Sequence, residues 1–204
     1  MSDSAIFADI YKKKIWHNYG SVSGDGSTSE MTNVLVEKLS ILLKKYKIKS
    51  ILDIPCGEFS WMNNVEMDEI KYIGADIVPE LIENNSVKFA NRKNCEFRTI
   101  DLCSDSLPEV DMIFCRDCLV HLSNKNIFRA LENIQKSRAK YIMMTTFPDH
   151  NSNFNMLTGA WRPINFEKKP FNLPAPLEIL NENFTLRNAR FTDKSMGLWR
   201  NSNN

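Results

Sequence analysis

A chain of 204 residues is long enough to bury one sizeable core and does not require a second domain. Apolar residues make up 43% and charged residues 25%, an ordinary globular balance, and a formal charge of +1 argues against a nucleic-acid partner. No apolar run approaches the roughly 18 residues of a membrane span, and Met-Ser-Asp-Ser lacks the basic start and apolar core of a signal peptide.

The first predicted helix is short, over Ala5 to Ile15, and a polar, Gly-rich loop from Trp16 to Thr28 follows. Ser27 and Glu30 have capping-box spacing and predict a helix start. That helix runs to about Lys47, with Met31, Val34, Leu35, Leu39, Leu42 and Leu43 recurring at helical spacing. Strands and helices then alternate: strand Ile51 to Ile54, strand Tyr72 to Asp76, helix Pro79 to Ala90, strand Cys95 to Ile100, strand Asp111 to Cys115, helix Ser123 to Ser137, strand Tyr141 to Thr146. Such alternation predicts a mostly parallel sheet with helices on both faces. Phe147 to Pro176 is rich in Pro, Asn and aromatics, and is too long for a plain connection. Phe184 to Phe191 and Ser195 to Arg200 read as a terminal antiparallel hairpin. The cysteine count is odd, at 5, and most cysteines lie in or beside apolar strand-like runs, which fits buried thiols in a cytosolic protein. The Cys115-x-x-Cys118 pair has no second pair and no suitably spaced His pair, so no metal site is predicted.

Chemistry collects at the carboxyl ends of the strands. In Ser50 to Met62, Ser-Ile-Leu-Asp-Ile-Pro-Cys-Gly-Glu-Phe-Ser-Trp-Met, Asp53 closes a strand and Gly57 allows a tight turn. Asp76 ends the second strand, Asp101 follows the third, and Arg116 and Asp117 follow the fourth. In open α/β sheets ligands bind at that edge, and a carboxylate about 20 residues after the first turn grips a ribose diol. The first turn lacks G-x-G-x-x-G, with Pro55 and Phe59 where glycines would be needed, so a pyrophosphate has no close seat. A nucleoside without phosphates is left, and S-adenosylmethionine fits. Asp76 would hold its ribose, Asp101 and the Leu102 amide its adenine, and the Asp53–Gly57 turn its cationic methionine portion.

Asp-Ile-Pro-Cys-Gly, Tyr-Ile-Gly-Ala-Asp-Ile and Arg-Asp-Cys-Leu-Val-His-Leu resemble motifs of the class I S-adenosylmethionine-dependent methyltransferases. More narrowly, Ser23 to Thr28, Trp61-Met62 and Gly159 to Arg162 are similar to a subgroup that accompanies glycosyltransferases. There the chain resembles the glycan (rhamnose) O-methyltransferase domain of large algal (chlorella) virus multidomain glycosyltransferases. The resemblance implies a Rossmann-like fold and a single domain over residues 1–204, with N-terminal helices and cap over 1–47 and an acceptor-loop insertion over 147–180. It also implies a cytoplasmic location, in the host cytoplasm if viral, and a sugar or glycan acceptor. The cofactor set expected from motif and position together is Ser23, Gly24, Thr28, Asp53, Pro55, Gly57, Trp61, Asp76, Ile77, Asp101, Leu102 and Arg116.

A sugar hydroxyl needs a base as the methyl bond forms. His121 is the first candidate; if the segment is helical, Asp117 lies on the same face, where it would orient the imidazole or act as base itself. His17 is the second candidate base. Trp16, His17, Trp161 and Arg162 are the expected acceptor contacts, and Asn151, Asn153, Asn155 and Asn165 suit polyol binding. A small-molecule O-methyltransferase, a non-catalytic S-adenosylmethionine-binding scaffold and a nicotinamide-dependent reductase stay open. Against an N-methyltransferase, Cys115-Arg116-Asp117-Cys118 stands where many of those carry Asn- or Asp-Pro-Pro-Tyr.

Overall fold

The computed structural model describes residues 2–16, 25–184 and 191–201. Helix α1 spans Asp3–Lys12, capped by Ser2, whose hydroxyl accepts from the Ala5 amide. Helix α2 spans Ser29–Lys45. It starts after Thr28 rather than at the expected capping box, because Ser27 is drawn into a short 3-10 turn, Asp25–Ser27. Leu35, Leu39, Leu42 and Leu43 form its buried stripe, as their spacing predicts.

Strand β1 is Ser50–Asp53, β2 is Lys71–Asp76, β3 is Cys95–Thr99, β4 is Met112–Cys115 and β5 is Tyr141–Thr146. Helix α3, Pro79–Lys88, and helix α4, Asn124–Lys136, connect them, with Pro79 in the first turn of α3. Ser123 caps α4 by accepting from the Asn126 amide. Strand β6 is Glu178–Asn181 and β7 is Ser195–Arg200. All seven strands form one sheet in the order β3-β2-β1-β4-β5-β7-β6. The first five run parallel, and β7 is antiparallel to both β5 and β6.

The terminal hairpin is present, but its first strand lies earlier than expected from Phe184–Phe191, of which residues 185–190 lie outside the described residues. Asn181 pairs with Ser195, and the Asn181 side chain then accepts from the Asn183 amide, a local bond that turns the chain out of the strand. Phe184 and Phe191 are buried.

Side chains alternate across the sheet, as pleating requires. Ile51, Tyr72, Met112, Phe114 and Met143 pack with the α2 leucines on one face. Leu52, Ile73, Ile113, Cys115 and Ile142 pack on the other with Ile127, Ala130 and Ile134 of α4. The segment between β5 and β6 has no helix or strand, yet Phe147, Ile164 and Phe166 are fully buried in this second core. None of the five cysteines is in a disulfide. Among the described residues no helix is long and apolar enough to cross a membrane.

Candidate active site

The strand order reverses between β1 and β4, and a cavity opens at their carboxyl ends, the position where open α/β sheets bind ligands. Asp53, Asp76, Asp101 and Asp117 line it together, so the strand-end carboxylates do converge. The β1 turn is fixed from below. The Cys56 amide donates to Ala75 O at 2.8 Å, and Asn85 of α3 donates to Gly57 O at 2.7 Å. Gly57 sits at φ +53°, a conformation that favours glycine. Asp76 accepts from the Gly57 amide at 3.3 Å and the Val78 amide at 3.1 Å. Asp53 accepts from the Tyr72 hydroxyl at 2.6 Å.

Electrostatics separate these carboxylates. Burial pushes Asp53 up to about 7, against the opposing effects of the Tyr72 bond and Arg116. Burial likewise raises Asp76 to about 6, against its backbone N–H donors. Asp117 is also pushed up by burial, but Lys194 and Arg116 outweigh it and hold the carboxyl at about 2.

The expected helix joining Asp117 to His121 is absent. Asp117 takes φ +52°, and only Leu119–His121 forms a 3-10 turn. The imidazole is oriented instead by the Gly-Ala-Trp-Arg segment. His121 Nδ1 lies 2.8 Å from Ala160 O, so a proton on Nδ1 donates to that carbonyl and leaves the Nε2 lone pair free. The Gly159 amide donates to His121 O at 2.9 Å and the Arg162 amide to Val120 O at 3.1 Å. Trp16 packs on the imidazole with ring centroids 4.4 Å apart, and both line the cavity. Burial lowers the His121 pKa from its ordinary value, opposed by the Ala160 bond and Asp117.

The cavity also brings together Pro55, Gly57, Trp61, Ile77, Leu102 and Arg116 of the expected cofactor set. Trp61 is buried, with the Arg116 guanidinium over its ring at 5.2 Å. Thr28 lies outside the lining, at the cap of α2, while Ser27 lies within it. Trp161 and Arg162 do not line the cavity. Trp161 packs edge-on against Phe147 and Phe191, a fit that an apolar ring finds in the core. Arg162 is fully buried and donates to Leu122 O at 2.7 Å and Asn124 Oδ1 at 2.8 Å, bracing the His121 turn. Three of the four asparagines expected for polyols serve the backbone of their own chain: Asn165 donates to Pro148 O and His150 O, Asn153 donates to Asn165 O, and Asn155 caps the Asn124 amide. His17, Ser23 and Gly24 lie outside the described residues.

Sequence reasoning missed α1 as a wall, where Asp3, Phe7, Ile10 and Tyr11 line the cavity. It also missed Glu182 and Lys194, which carry no motif and reach the site only through the hairpin. Among the described residues no group of three or more His, Cys, Asp or Glu could hold a metal ion. The lining fits S-adenosylmethionine: a buried carboxylate at the β2 end for the diol, Asp101 with apolar Ile77 and Leu102 for the base, and acidic groups for the cationic tail.

Residues 51–139 match a family model described as a methyltransferase domain, and a search of curated proteins finds no match. Human N-acetylserotonin methyltransferase, solved with S-adenosylmethionine, is 14% identical with a TM-score of 0.66, covering 98% of this chain and 60% of its own. The N-methyltransferase NodS from Bradyrhizobium japonicum, solved with S-adenosylhomocysteine, is 14% identical with a TM-score of 0.55, covering 72% of this chain and 74% of its own. The methyltransferase domain of a bacterial CtHen1 is 14% identical with a TM-score of 0.51, covering 57% of this chain. This chain spans 66% of that domain's length. At such identities the likeness is one of fold. Residues 51–139 thus match a methyltransferase domain, and the sheet order with its cavity at the strand reversal is the Rossmann-like fold of S-adenosylmethionine-dependent methyltransferases.

Proposed function

We propose that the protein is an O-methyltransferase acting on a hydroxyl of a sugar or glycan, with rhamnose-containing glycans the first acceptors to test and glycosyltransferase domains as working partners. The observation that carries this reading is the His121 imidazole, held through Nδ1 by Ala160 O at 2.8 Å and packed at a tilt against Trp16 inside the cavity.

When bound, S-adenosylmethionine supplies an electrophilic methyl group. Asp76 would hold the ribose hydroxyls, and Asp101 and Leu102 would receive the base. His121 Nε2 would take the proton of the acceptor hydroxyl as that oxygen receives the methyl group and the sulfonium S–C bond breaks, leaving S-adenosylhomocysteine, and the Ala160 carbonyl would stabilise the imidazolium through Nδ1–H. Burial keeps the ring neutral at pH 7, so the lone pair is available. The Trp16 ring gives the C–H face of a pyranose an apolar surface beside the base. Asp117, held at about 2, is too weak a base to compete and stays an anion.

The test is incubation of the protein and S-adenosylmethionine with a panel of methyl pyranosides, methyl α-L-rhamnopyranoside among them, read by mass. A gain of one methyl group on a pyranoside is expected. Transfer only to phenols or amines, or to nothing while the cofactor binds, would overturn the sugar reading.

A further inference from the structure

Three parts of the chain meet just beyond the carboxyl end of β4. Glu182 directly follows β6, and its amide donates to Lys194 O at 3.0 Å, so these two residues face each other across the hairpin. Arg116, just after β4, forks onto Glu182, donating from Nε at 3.2 Å and from Nη2 at 2.7 Å. The same Nη2 donates to Gly26 O at 2.8 Å. Lys194 donates to Asp117 Oδ2 at 2.6 Å and lies 3.4 Å from Glu182 Oε2. Arg116, Glu182 and Lys194 are each at most 5% exposed. With Asp117, two positive and two negative groups balance here, as buried charges must.

Part of this network reaches the cavity and part does not. Arg116, Asp117 and Ser27 line it, whereas Glu182 and Lys194 lie outside the lining. Arg116 is the only arginine or lysine among the described lining residues, and its guanidinium lies over the ring of Trp61, which lines the cavity too. Ser27 closes the 3-10 turn Asp25–Ser27, whose Gly26 carbonyl Arg116 holds. That turn is pressed close, since a Cβ on Gly26 would lie 3.3 Å from both Asp117 Oδ2 and Lys194 Nζ. Sheet order says which end of a ligand meets this wall. With the base at Asp101 beyond β3 and the ribose at Asp76 on β2, the order β3-β2-β1-β4 leaves the methionine end of S-adenosylmethionine at β1 and β4, beside Trp61, Arg116 and Ser27. That end carries the cofactor's one carboxylate, which favours a wall with a fixed cation.

We propose that Glu182 is a positioning residue for the methionine end of the cofactor. It touches no ligand; it fixes the fork of Arg116 and, through Gly26 O, the turn that brings Ser27 to the cavity, while Lys194 holds the neighbouring Asp117. This rests on the methyltransferase reading and is independent of the acceptor. The terminal hairpin thereby takes part in cofactor recognition, through a two-bond contact that a lysine at position 116 could not reproduce. Without the Glu182 charge, a buried guanidinium loses its counter-ion and its fixed direction.

The test is calorimetric titration of the protein with S-adenosylhomocysteine and with 5′-methylthioadenosine, which keeps the base, the ribose and the sulfur but lacks the amino-acid end. Native protein is expected to bind S-adenosylhomocysteine more tightly. Glu182→Gln should weaken that binding by roughly ten- to a hundredfold and leave 5′-methylthioadenosine within about twofold of native. Arg116→Lys should lose affinity for S-adenosylhomocysteine in the same way, and adding Glu182→Gln to it should cost nothing more, because Glu182 acts through Arg116. Glu182→Asp, which keeps the charge but falls one methylene short of the fork, should show the same split between the two ligands and carries the test if Glu182→Gln does not fold. A loss shared equally by both ligands would be general damage to the fold and overturns the inference. Native-like S-adenosylhomocysteine affinity in the Glu182 variants, or equal binding of the two ligands by native protein, overturns it as well and leaves the methyltransferase reading standing. Native protein that binds neither ligand overturns that reading, and the inference with it.

Discussion

Asp53, Asp76 and Asp117 line one cavity, and burial pushes all three toward the neutral form; their neighbours decide what each becomes. Asp76 has only backbone donors and stands at about 6, so it is ionised at pH 7.5 and protonated at pH 5. A protonated carboxyl accepts less well from a ribose diol. S-adenosylhomocysteine affinity should therefore fall as pH drops through about 6, and Asp76→Asn should flatten that dependence in calorimetry; a native profile flat from pH 5 to 8 would contradict the assignment. His121→Gln keeps a polar group of similar reach and removes the base. It should lower kcat by about 10²–10⁴-fold with S-adenosylhomocysteine affinity near native. Because burial lowers the His121 pKa, the acidic limb of the native pH–rate profile should lie below the ordinary histidine value.

At the scale of elements, the periodic stretches were legible in the sequence because burial enforces their period. Strand β5 and the ends of α4 fall where alternation and the Ser123 cap place them. Elements set by local side-chain bonds were not. The start of α2 moved because a 3-10 turn took Ser27, and the Asn181 bond ended β6 ahead of the more apolar Phe184. Gly159 shows how distant elements share a position. It sits at φ +98°, and a Cβ there would come 2.9 Å from Ile6 Cγ2 of α1. Gly159→Val should strain the segment that orients His121 and push α1 off the rim, at a cost of about 1–3 kcal/mol. Thermal melting would read the loss, and hydrogen exchange should show it concentrated in α1; native-like exchange there would contradict the packing.

For the molecule as a whole, strand-end carboxylates could be read from one sequence because topology puts successive strand ends on one edge. The contributions of α1, Glu182 and Lys194 could not, since nothing local to those residues points to the cavity. Trp161 and Arg162 were misplaced for the converse reason: types that often contact ligands here serve packing and bracing of the His121 turn. Every functional reading above depends on this cavity binding S-adenosylmethionine with Asp76 on the ribose. Titration calorimetry of native and Asp76→Ala protein with S-adenosylhomocysteine tests it most directly. One site is expected in the native protein, with an affinity lower by roughly ten- to a hundredfold in the variant, the value of charge-assisted hydrogen bonds to a diol. No heat of binding from folded native protein, or equal affinities in both, would contradict it.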